Sequence, residues 1–158
     1  MKLKIFILLF PIFLFGQDSE NLNEIKIIES QIKFADSISN FIQEEVQNFI
    51  LISSHARVDD KKKEPIKIQT RTLKYSNQIL RICYTQSNLK ENWIYYYHDS
   101  KLIYAESNKL RGRKKITKKK FYFKNEELIS PLYSDKNYNA REEVNIFLKA
   151  KELFKSHG

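Results

Sequence analysis

The feature that most constrains this chain is a nine-residue phrase that occurs twice, 26 residues apart. Residues 95–103 read Tyr-Tyr-Tyr-His-Asp-Ser-Lys-Leu-Ile, and residues 121–129 read Phe-Tyr-Phe-Lys-Asn-Glu-Glu-Leu-Ile. Both copies have an aromatic triplet, a polar corner and a Leu-Ile return. Aromatic and β-branched residues suit the pleated surface of a strand, and a short polar corner between two such runs marks a hairpin. A duplicated hairpin implies a sheet built by repeating one unit, its successive strands lying side by side in an antiparallel meander.

The flanks have a different period. In residues 21–47 the positions Ile25, Ile28, Ile32, Ala35, Ser39, Ile42 and Val46, apolar but for Ser39, step by threes and fours, which predicts a long helix with a break near residues 37–40. Residues 48–58 are expected to form a first strand and residues 59–65, which are charged and end in Pro65, a solvated loop. After Pro65 the apolar period is two, and its slip at Leu73 and Tyr75 predicts a bulge or a strand end before a turn at Ser76-Asn77. Strands are expected over 79–86, 101–107 and 116–124, with a longer loop over 107–114 and a short edge over 127–130 that Pro131 ends. Asn139 and Glu142 have capping-box spacing, and Val144, Phe147, Leu148 and Phe154 then share a helical face. The sum is an α+β fold: a long N-terminal helix, an antiparallel β-meander of six to seven strands, and a C-terminal helix packed on one sheet face. Both helices are expected on that same face. All nine tyrosines lie between Tyr75 and Tyr138, and the rings are expected to pack while their hydroxyls stay wet.

The first sixteen residues have the layout of an export leader: Lys2 and Lys4, an apolar run from Leu3 to Phe15, and Gly16 before Gln17. The run is shorter than the ~20 residues of a membrane span. The expected organisation is a signal peptide over 1–16 and one domain over 17–158, in the periplasm or secreted. Cys83 is the only cysteine, so an internal disulfide cannot form, and its place between Ile82 and Tyr84 fits a small half-buried hydrophobe.

The leader ending in a small residue and Gln, the long first helix, the words at 95–103 and 121–129, and the closing helix together resemble a group of uncharacterised exported proteins of Gram-negative envelopes. The chain departs from that group in having Ser100 and Glu126 where a compact turn residue such as glycine is common. The resemblance implies a fold and a compartment and brings no catalytic motif with it.

Nucleotide-cradling loops are excluded, because Gly112 is the one glycine between the leader and the C-terminus. His55, His98 and His157 form no HExxH, no nucleophile elbow is present, and the acidic pairs are adjacent in sequence and so diverge. No enzyme activity, cofactor or metal is expected; a hydrolase using His55 with Asp59 or Asp60 is the remote alternative. The net charge is +9, and the basic run Lys109, Arg111, Arg113, Lys114, Lys115, Lys118, Lys119 and Lys120 contains no acid. In a strand Lys118 and Lys120 share a face with Tyr122, so that cations could hold an anionic polymer while the ring stacks on it. The same lysines could instead guard an open sheet edge against pairing. The chain is therefore expected to be a non-catalytic interaction module whose open tyrosine-rich face binds an envelope protein. The alternative is an electrostatic binder of lipopolysaccharide, acidic glycan or nucleic acid through 109–120.

Overall fold

A computed structural model describes residues 6–51, 65–89, 91–111, 115–129 and 140–158. Its elements are α1 (Phe6–Ile38), β1 (Glu45–Leu51), β2 (Ile66–Tyr75), β3 (Gln78–Gln86), β4 (Glu91–His98), β5 (Lys101–Arg111), β6 (Lys115–Lys124), β7 (Glu127–Leu128) and α2 (Ala140–His157). The seven strands form one antiparallel sheet in sequence order.

Both copies of the repeated phrase are hairpin corners, and a third copy precedes them at residues 72–80. Each corner is a two-residue turn with positive φ at both positions: Ser76 and Asn77 (49° and 61°), Asp99 and Ser100 (47° and 64°), Asn125 and Glu126 (51° and 71°). That geometry matches the right-handed twist of the strands it joins. After two of the turns the register slips by one residue. Leu73 pairs with Arg81 and Lys74 with Ile79, while Tyr96 pairs with Tyr104 and Tyr97 with Leu102. The extra residues, Leu80 and Ile103, are bulges, and a bulge turns two successive side chains toward one face. Leu80 and Arg81, and likewise Ile103 and Tyr104, therefore point the same way, toward α1.

Both faces of the sheet are covered, each by one helix. On one face Ile82, Tyr95, Tyr97, Ala105, Phe121 and Phe123 pack against Ile146, Ala150 and Leu153 of α2. On the other, Leu73, Leu80, Tyr96, Tyr104 and Tyr122 pack against Ile28 and Ala35 of α1. The expectation of both helices on one face is corrected here. An aromatic triplet such as Tyr95-Tyr96-Tyr97 buries all three rings, and a strand with no polar alternate is dry on both sides. The tyrosines are corrected with it, because Tyr84, Tyr95, Tyr96, Tyr97, Tyr104 and Tyr122 are all buried and most of their hydroxyls bond to protein groups.

Three boundaries also move. The first helix ends at Ile38, inside the expected break, where the Ser37 and Ser39 hydroxyls donate 2.7 Å bonds to the Phe34 and Asp36 carbonyls and compete with further helix. The first strand begins at Glu45 rather than residue 48. Strand β5 runs on to Arg111, so the expected loop from 107 is strand, paired with β6 up to Arg111 opposite Lys115. The loop over 59–64, Pro131 and Asn139 lie outside the described residues. Lys124 ties the sheet to the middle of α1 through Glu20 at 3.0 Å and Glu24 at 2.8 Å. At the other end of the chain, buried His157 docks α2 on β2. Its Nδ1 donates to the Leu153 carbonyl at 2.8 Å and its Nε2 lies 2.9 Å from the Thr70 hydroxyl. No helix among the described residues is long and apolar enough to cross a membrane.

Candidate functional site

A groove of about 620 Å³ runs between α1 and strands β3–β6. Its floor is a ladder of three tyrosines, Tyr96, Tyr104 and Tyr122, with ring centroids 5.7 and 5.0 Å apart in edge-to-face contacts. Tyr96 and Tyr122 occupy the middle position of the two aromatic triplets, and the bulge at Ile103 brings Tyr104 between them. Each hydroxyl donates to a carboxylate: Tyr96 to Asp36 at 2.8 Å, Tyr104 to Glu106 at 2.8 Å and Tyr122 to Glu29 at 3.2 Å. Burial and the facing Glu29 carboxylate push the Tyr122 hydroxyl up to about 12, so it stays a donor.

Two charge clusters close the groove. At one end Arg81 is forked between Asp36 of α1 and Glu44 of the α1–β1 connection, with Glu44 at 2.7 Å. Burial by itself would lower the Arg81 pKa, but its bonds to Glu44 and Tyr96 raise it above its ordinary value, so the guanidinium is charged throughout. At the other end Lys118 lies 2.8 Å from Glu106, and Asn108 donates to the same carboxylate at 3.0 Å. Burial by itself would raise the Glu106 carboxyl, but the bonds from Lys118, Tyr104 and Asn108 outweigh it and hold the group below its ordinary 4.5. A carboxyl with a depressed folded pKa stabilises the fold above its unfolded value, and that contribution is lost as pH falls through the folded one. In thermal melts the stability gap between wild type and Glu106→Gln should therefore be full at neutral pH and close on acidification below 4.5. A gap that stays constant with pH would show that the charge of Glu106 is not what stabilises this end.

The basic run is dispersed by the fold. Lys109 is exposed on β5, and Lys118, Lys119 and Lys120 are exposed on β6. Lys118 and Lys120 line the groove on the side of Tyr122, the parity expected from the sequence. The lysine-only character of the run is modified by Glu106, which arrives from the neighbouring strand directly opposite Lys120. Stacking by Tyr122 is corrected, since its ring is 3 % exposed and its hydroxyl is bonded. Arg111 and Lys115 sit at the far end of the β5–β6 pair, while Arg113, Lys114 and His55 lie outside the described residues. Of β6, only Phe123 and Lys124 pair with β7, so among the described residues the outer edge of 115–121 is open.

Cys83 is buried, and burial pushes its thiol up. His98 ends β4 at an exposed corner, 3.6 Å from Asp99. Among the described residues no three His, Cys, Asp or Glu side chains are grouped to hold a metal ion. Arg81, Glu106, Glu29 and Asp36 had no signal of their own in the sequence, since the register slips that gather them cannot be counted without knowing which strands pair. The architecture and site thus define an α+β protein, a seven-stranded meander clasped between two helices with a polar, tyrosine-floored groove under the first. No protein family, curated protein or solved structure matches the chain significantly.

Proposed function

We propose that the protein is an exported, non-catalytic binding module of the cell envelope that holds an anionic polymer along the β6 edge. The observation that carries this reading is the placement of Lys118, Lys119 and Lys120, all exposed, on an edge with no neighbouring strand among the described residues, beside a groove that Lys33 also lines. Exposed cations along an open strand, Lys118 and Lys120 on the groove side and Lys119 on the other, can contact an extended polyanion and release its counterions. The leader over 1–16 supports export, and an exported protein meets lipopolysaccharide and acidic glycans before nucleic acid. Binding through an open tyrosine-rich sheet face loses its support, because helices cover both faces.

The test is retention of the protein on a sulfated or phosphorylated glycan and on lipopolysaccharide, against a neutral dextran. Affinity should fall roughly 7- to 40-fold between about 50 and 200 mM salt, as two to three released counterions require, the lower figure applying where Glu106 keeps its bond to Lys118. Replacing Lys118, Lys119 and Lys120 by Ser should abolish most of that salt dependence while circular dichroism stays unchanged. Binding that ignores salt, or survives the triple replacement at full strength, rejects the proposal.

A further inference from the structure

Among the described residues the sheet ends in two edges of opposite character. The β6 edge carries three successive lysines, the means by which proteins keep an open strand from pairing with another chain. The β1 edge, Glu-Val-Gln-Asn-Phe-Ile-Leu, has neither lysine nor proline, and its one charge, Glu45, is held by Lys74 at 3.3 Å. Val46, Phe49, Ile50 and Leu51 are 52, 47, 62 and 51 % exposed, on both faces of that edge. An unguarded apolar edge beside a guarded one in the same sheet marks β1 as a pairing surface.

We infer that β1 pairs antiparallel with β1 of a second copy of this chain, about a twofold axis at Asn48, joining the two sheets into one. Asn48 is the central residue of the strand, and only the register centred on it pairs the whole of Glu45–Leu51. Directly opposed residues in an antiparallel pair share a face. Val46 then meets Ile50 of the other copy on one face, Phe49 meets Gln47 on the other, and Glu45 meets Leu51, so no like charges are opposed. The arrangement is isologous and closes after two chains. Its head-to-tail rival, β1 of one copy on β6 of the next, would grow without end, and the lysines of β6 oppose it by the cost of crowding and drying their charges. Chemistry therefore selects the second copy in the same orientation rather than a fibre. One strand pair is a small interface, which places the dissociation constant at about 1–100 µM.

The pairing rests on β1 alone and is independent of what β6 binds. Its salt response has the opposite sign, because two chains of net charge +9 repel one another and screening helps them meet. Sedimentation of the full-length protein, expressed with its own N-terminus, should show a reversible monomer–dimer equilibrium from about 1 to 200 µM that tightens with salt. Ile50→Lys, at an exposed position, should weaken it at least tenfold without altering the melting temperature of the dilute monomer. Asn48→Cys should form an intermolecular disulfide under mild oxidation, since it would sit opposite its own symmetry mate and Cys83 is buried. A monomer throughout the range with no Asn48→Cys crosslink overturns the inference and leaves the edge to a strand of a different protein. A dimer unaffected by Ile50→Lys overturns it, and so does growth to species beyond a dimer.

Discussion

Replacing Arg81 by methionine should cost about 3 kcal/mol of folding stability, with a fall in melting temperature of about 6–12 °C. The guanidinium is 14 % exposed and binds Glu44, itself 17 % exposed, and Asp36, which is half exposed. Methionine can fill the space, so the loss is chiefly the stranding of a carboxylate. Glu44 would remain largely out of water with Arg71, at 3.7 Å, as its remaining ion-pair partner among the described residues. That residual partner keeps the cost at the lower end of the ~3–5 kcal/mol expected when one member of a buried pair is removed. The double replacement Arg81→Met with Glu44→Gln removes the stranded charge, and should recover more than half of the loss. Denaturant titration of the four proteins reads the cycle directly. A single-variant cost below about 1 kcal/mol would show that the fork is solvated and holds nothing, as an exposed pair would be. Because Asp36 is on α1 and Glu44 precedes β1, amide exchange should accelerate in the last turn of α1 in the single variant.

The meander was legible because its signal is local. Each corner is specified by residues within one hairpin, and a two-residue polar turn between apolar runs needs no distant partner to be recognised. The third corner, at Ser76-Asn77, is legible as a turn but not as a copy, since Thr72-Leu73-Lys74 stand where the other two have aromatic rings. The helices take opposite faces for a physical reason: period-two alternation holds only in residues 66–72, whereas the triplets Tyr95-Tyr96-Tyr97 and Phe121-Tyr122-Phe123 have no polar alternate and demand cover on both sides. The site was only half legible. Lysines on one face of β6 follow from strand parity alone. The carboxylates that face them come from α1 and from β5 beyond the bulge at Ile103, and a one-residue slip reverses which face a side chain takes.

The same division between ring and hydroxyl gives the second large effect, at Tyr97 on the α2 face. Tyr97 is 4 % exposed, its ring lies 5.0 Å from that of Phe154, and its hydroxyl donates to the Ala150 carbonyl at 2.9 Å. Tyr97→Ala should cost about 3–5 kcal/mol, because it empties the space between β4 and the last turns of α2 where neither element can collapse without breaking the other's contacts. Tyr97→Phe keeps the ring and removes one hydrogen bond, so it should cost only about 1 kcal/mol. The Ala150 carbonyl belongs to the helix and is not left without a purpose when the hydroxyl goes. Urea titrations of the two variants separate the contributions: a Phe variant as damaged as the Ala variant would make the hydroxyl, not the ring, what fixes α2. With the expected order, α2 is held chiefly by apolar burial and positioned by polar contacts at Tyr97 and His157. The α1 face inverts that arrangement, since each of its ladder hydroxyls ends on a carboxylate that can also meet a cation. A ligand reaching the groove would therefore meet charge under α1, so any response to binding should appear in α1 and the corners it spans while α2 keeps its protection.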